Sequence, residues 1–125
     1  MATYIRLTSG LVVANMSSPH PFTFTTGETL PACSPEEAQA LKLDAVEVER
    51  PGVKGTIDIE LTFKLNDVVR ARLDELEALP GIDIVLVPFP VMEALKREGR
   101  PVGKCRVIRT ADRVTKAIFP DKFCI

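Results

Sequence analysis

The chain has 125 residues, 46% of them hydrophobic and 26% charged, with a formal net charge of -1. That apolar content excludes disorder, and the length suits one domain with a core of its own. A chain with no excess of positive charge is a poor partner for a long nucleic acid, whose phosphates bind by charge neutralisation.

No apolar run approaches the roughly 18 residues of a membrane-spanning helix, so no membrane partner is expected. Met1 to Arg6 leads directly into an alternating segment, without the basic and apolar regions of a signal peptide. A cytoplasmic location is therefore expected. Cys33, Cys105 and Cys124 are odd in number and widely spaced, which makes neither a disulfide framework nor a zinc pattern. They read as reduced core cysteines, and no metal is expected. A Cys33 nucleophile served by His20, the single histidine, is the sharper alternative, but no motif surrounds either residue.

Thr3 to Thr8 and Leu11 to Asn15 read as two strands around a tight turn at Ser9-Gly10. A polar loop, Ser17-Ser18-Pro19-His20-Pro21, follows, shaped by its two prolines. Phe22 to Thr25 alternates as a short strand, and Thr26-Gly27-Glu28 turns the chain. Ser34-Pro35-Glu36-Glu37 is a helix start: a serine cap, proline at the first position and Glu37 to complete a capping box. This short helix should fade near Lys42. Val46 and Val48 then alternate with Glu47 and Glu49, and Pro51 to Gly55 turns the chain. Ile57, Ile59, Leu61 and Phe63 occupy one face of the returning strand. This hairpin is expected to lay one face on the core and the other in water.

Asn66 can cap a second helix to about Leu79, with Val69, Leu73, Leu76 and Leu79 in one apolar stripe. Ile82 to Val87 reads as a central strand, and Pro90 opens a third helix to about Glu98 with Gly99 at its end. Lys104 to Thr110 and Arg113 to Phe119 read as strands around Thr110-Ala111-Asp112. The apolar terminus Phe123-Cys124-Ile125 should tuck into the body or into a partner chain. The expected fold is one α+β domain over residues 1–125, mostly antiparallel sheet with two main helices and one short helix.

Glycine-rich phosphate loops, nucleophile elbows and zinc-binding helix motifs are absent from the sequence. No catalytic residues and no cofactor are expected. Two features suggest a binding site. Asn15, Ser17, Ser18 and His20 crowd an amide, two hydroxyls and an imidazole into a proline-stiffened loop, which can present donors to a polar ligand at low ordering cost. The alternative is a turn that satisfies its own backbone. Residues 96–116 carry eight cations against two anions, a local +6 inside a chain of -1. Within them Arg106, Arg109 and Arg113 are candidates for phosphate, which arginine grips with two parallel bonds. Arg109 is in phase with Cys105 and Val107, so it is expected on the apolar face, where it must find an anion: Asp112 or a ligand phosphate. Phe22 is the aromatic candidate to stack a base, with Phe24 and Phe89 behind it; each of the three can instead be core.

The segments SPHPFTFTTGETLPACS (18–34), DIVLVPFPVMEAL (83–95), GKCRVIRTADRVTK (103–116) and PDKFCI (120–125) resemble small proteins of tailed bacteriophages and prophages. Within that group the chain resembles the Thoeris anti-defence type 1 family. The resemblance implies a small α+β homo-oligomer, a dimer or higher, acting in the infected host's cytoplasm. It implies sequestration of cyclic ADP-ribose-type signals, and of some cyclic oligonucleotides, without cleavage. No site residue is carried over from it. Two rival expectations are a small hydrolase of such nucleotides with His20 as acid or base, and a phage structural or host-interaction protein with no small ligand.

Overall fold

The computed structural model describes residues 3–125. Nine strands and three helices follow in the order β1 (Thr3–Arg6), β2 (Val12–Asn15), β3 (Phe22–Thr23), β4 (Thr29–Leu30), α1 (Pro35–Ala40), β5 (Asp44–Pro51), β6 (Ile57–Lys64), α2 (Asp67–Ala78), β7 (Ile84–Leu86), α3 (Phe89–Arg97), β8 (Cys105–Thr110) and β9 (Ile118–Cys124). The main sheet has the order β1-β2-β7-β8-β9. β2, β7 and β8 run parallel in its middle, and β1 and β9 are antiparallel edges. With the two small hairpins, antiparallel pairings predominate in this α+β fold.

The local signals act as their chemistry requires. Gly10 (φ 95°) lets the first turn close, with Leu7 N donating to Leu11 O at 2.8 Å. Asn66 Oδ1 accepts from Val69 N at 2.9 Å and starts α2. Ser34 Oγ accepts from Glu37 N at 3.2 Å and starts α1. Glu37, however, does not return to the Ser34 backbone as a capping box would have it. Its buried carboxylate accepts from Thr3 N (3.1 Å) and from the hydroxyls of Thr3 and Ser34 (both 3.3 Å), tying the first strand to the first helix.

Each face of the sheet has its own core. Val12, Ala14, Met16, Val85, Val87 and Cys105 pack against Val69, Leu73 and Leu76 of α2 and Val91, Met92 and Leu95 of α3. On the opposite face Val13, Leu86 and Ile118 pack against Phe24 and Leu30. β7 is central, as its unbroken apolar run predicts, because both of its faces are covered. Among the described residues no helix is long and apolar enough to cross a membrane.

Three expectations are corrected. The β5–β6 hairpin lays neither face on the core: every strand residue in it is exposed except half-buried Thr62. The alternating pattern reports a two-sided strand pair, which α3 meets only near the end of β6, where Arg97 Nη1 donates to Phe63 O at 3.0 Å. β9 starts at Ile118, not Arg113, because Asp112 Oδ1 accepts from Val114 N and Thr115 N and folds residues 111–117 into a turn. The apolar C-terminus supplies that edge strand, with Cys124 opposite Val107, while Ile125 stays exposed. Arg109, third, is exposed at the end of β8 and not on the apolar face.

Candidate ligand-binding groove

The proline-bound loop leaves the sheet where β2 ends. Asn15 lies there, fully buried. Its Oδ1 accepts from Ser17 N (2.9 Å) and Ser18 N (3.1 Å), and its Nδ2 donates to Pro31 O (2.9 Å) and Ser18 O (3.4 Å). Both ends of the amide are therefore used to hold the loop. Ser18 Oγ accepts from His20 N at 3.0 Å, so this hydroxyl also closes a local turn. Ser17 is half-buried and the His20 ring is exposed. Phe22 is half-buried against the second core, and Phe24 is wholly within it. Phe89 opens α3 with its ring in solvent.

Cys33 N donates to Ser18 O (3.0 Å), so the cysteine does lie beside this loop. Burial pushes its thiol above the ordinary value, and the nearby Glu37 charge acts the same way. Both effects suppress the thiolate that a nucleophile needs.

The arginines of β8 separate rather than converge. Arg106 is half-buried, with Nη1 donating to the carbonyls of Gly103 and Cys105, both at 2.7 Å. Arg109 is exposed, against expectation. Cys105 is buried as its strand phase requires, but β8 outruns the helical layer and its last two residues meet water. Asp112 is not the partner of Arg109: its carboxylate serves the turn, and those backbone N–H groups hold it below the usual aspartate range. Arg113 is exposed in that same turn.

A second groove lies at the other end of β2. It is lined by Tyr4, Arg6, Val12, Arg72, Leu79, Pro80, Gly81 and Ile82 and encloses about 460 Å³. Its construction follows from strand alternation. Ile5 faces the second core, so Tyr4 and Arg6 point to the helical side. The edge position of β1 leaves them uncovered by another strand. Pro80-Gly81 ends α2 beside Arg6, because Arg6 is opposite Val12 and Val12 N donates to Asp83 Oδ2 just beyond that bend. Arg72, on the penultimate turn of α2, completes the wall, its guanidinium 2.9 Å from Glu75.

This groove joins an apolar floor to a phenol ring and two guanidinium groups, a size and chemistry suited to a small anionic ligand. Its lining has no carboxylate, imidazole or thiol. Sequence reasoning missed it because Arg6 and Arg72 belong to unrelated segments. The one available signal was the shared phase of Tyr4 and Arg6. Among the described residues no cluster of three or more His, Cys, Asp or Glu could hold a metal ion. No family model matches the chain, and neither the curated proteins nor the solved structures compared with it include a match.

Proposed function

We propose that the protein binds a small anionic nucleotide in the Tyr4–Arg6–Arg72 groove and holds it without cleaving it. The observation that carries the reading is a single cavity combining a stacking ring, an apolar floor and two guanidiniums. A base can stack on Tyr4 while Arg6 and Arg72 take phosphate oxygens. The lining offers no base to activate water, which favours storage over hydrolysis. With the resemblance to the Thoeris anti-defence family, the ligand class is cyclic ADP-ribose-type signals or cyclic oligonucleotides, and the role is that of a phage sponge.

Calorimetry with cyclic ADP-ribose isomers and cyclic di- and trinucleotides tests this. Arg6→Ala and Arg72→Ala should each weaken binding about tenfold or more, the worth of a charged hydrogen bond. Arg109→Ala with Arg113→Ala should leave binding unchanged. The reverse pattern would move the site to the basic turn after β8, and no heat with any of these ligands would sink the proposal. Intact nucleotide recovered after heating the complex separates storage from hydrolysis.

A further inference from the structure

The β5–β6 hairpin and the start of α3 gather most of the exposed large apolar side chains among the described residues. Directly paired residues share a face, so Ile57, Ile59, Leu61 and Phe63 stand on one face of the hairpin, with Pro51, Glu49, Glu47 and Ala45 opposite them. The four β6 residues are 62%, 55%, 52% and 40% exposed, and Phe89, which lines one cleft with Leu61 and Phe63, is 62% exposed. At about 200 Å² for a large side chain, the five leave about 500 Å² of apolar surface, a size at which a patch on a monomer is often functional. A sheet face normally lies against a second layer, and this one has none over most of its length.

The two faces of the hairpin differ in their charges. On the opposite face Arg50 pairs with Glu60 at 3.0 Å and stands across from Asp58, while Lys64 stands across from Asp44. Those charges answer one another. On the Ile57 face the charges beside the apolar row are Glu47 and Glu49, both exposed. Across the cleft to α3 stands Glu93. Among the described residues none of these three carboxylates is in an ion pair. Arg97, the cation in that cleft, turns its Nη1 to Phe63 O at 3.0 Å. The apolar strip is therefore flanked on both sides by carboxylates that nothing answers.

We propose that this face is the docking site for a cationic amphipathic helix of another protein, laid along β6 with its apolar side on Ile57 to Phe63 and its lysines or arginines toward Glu47, Glu49 and Glu93. Charge complementarity selects that occupant. A strand is the wrong one, because α3 already holds the outer edge of β6 at Phe63 O, and Pro51 with two glutamates blunts the edge of β5. A second copy of this chain would bring its own Glu47 and Glu49 to the contact and double the unanswered charge. An anionic membrane surface would be repelled by the same carboxylates. From Ile57 to Phe63 the strand runs about 20 Å, which a helix covers in about 13 residues. This face shares no residue with the Tyr4–Arg6–Arg72 groove and needs no nucleotide.

Calorimetry of the full chain with synthetic peptides tests the docking. The first probe is an amidated peptide of about 14 residues, made of leucine and lysine with the leucines on one helical face. It should bind, and more weakly as salt is raised. A peptide of the same composition with its leucines scattered around the helix should bind about tenfold more weakly or worse, as should a leucine–glutamate peptide of the first pattern. Ile59→Ser with Leu61→Ser should weaken the first peptide about tenfold or more. Glu47→Gln with Glu49→Gln should weaken it about fivefold. Both double variants should leave the circular dichroism unchanged. No binding of the first peptide overturns the proposal, as does binding indifferent to either double variant. Equal binding of the scattered or the glutamate peptide overturns it too, and needs no variant of this chain to be read. Sedimentation gives the remaining outcome: a dimer that Ile59→Ser with Leu61→Ser turns into monomers would assign the face to a second copy of this chain and overturn the helix.

Discussion

Replacing Asn15 by alanine separates a structural from a ligand-binding role for the proline-bound loop. The buried amide makes three short hydrogen bonds, to Ser17 N, Ser18 N and Pro31 O, and one longer bond to Ser18 O. At about 1 kcal/mol for each short bond, Asn15→Ala should cost about 3 kcal/mol. Total stability for a domain of this size is about 5–15 kcal/mol, so the variant should still fold. With an unfolding entropy of about 2 cal/mol/K per residue, its Tm should fall by about 10 °C. Urea denaturation and thermal unfolding read both numbers. Asn15→Asp adds a second check: it keeps the acceptor for Ser17 N and Ser18 N but loses the donor to Pro31 O. It should therefore also destabilise, and more at neutral than at acid pH, because the buried carboxyl is tolerated better when protonated. If Asn15→Ala costs under about 1 kcal/mol while nucleotide binding is lost, the structural reasoning is refuted and the loop is a binding site.

Two further outcomes follow from the cores. Phe24 fills the second core at 1% exposure, so Phe24→Ala should cost about 3–5 kcal/mol in urea denaturation; a loss under about 1 kcal/mol would mean that Phe24 and the β3–β4 layer do not seal this face. Burial, with a smaller push from Glu77, raises the Cys105 thiol from 9.0 to about 11. A raised group contributes its full stability below the unfolded value and loses it as pH rises through the folded one. Stability should therefore drop by about 3 kcal/mol between pH 9 and pH 11, and Cys105→Ala should flatten that slope relative to the wild type; equal slopes would refute the assignment to Cys105.

Much of the fold could be read from local chemistry. Ser34 and Asn66 cap the helices they precede, and Gly10 turns the first hairpin. The stripe at Val69, Leu73 and Leu76 faces the core. These features depend on neighbours within a few residues, so spacing suffices to find them. The site was less legible. Asn15 and Ser18 stand out as a polar cluster, but a polar loop reads the same whether its donors serve a ligand or its own backbone. Strand phase says which side Arg109 faces and not whether anything covers that side.

The same limit explains the hairpin. Alternation along Val46 to Phe63 was sufficient to predict two paired strands, since pairing is local and its period is two. It could not report that α3 reaches them only near the end of β6 and leaves the rest exposed. Likewise Tyr4, Arg6 and Arg72 carry no shared pattern, and only the crossing of an edge strand with the end of α2 makes a groove of them. Caps, turns and periodicity are written within a few residues of one another and survive in the sequence alone. What covers a face, and which distant side chains share a cavity, depends on how the elements stack, and that is settled only when the two faces of the central sheet are filled.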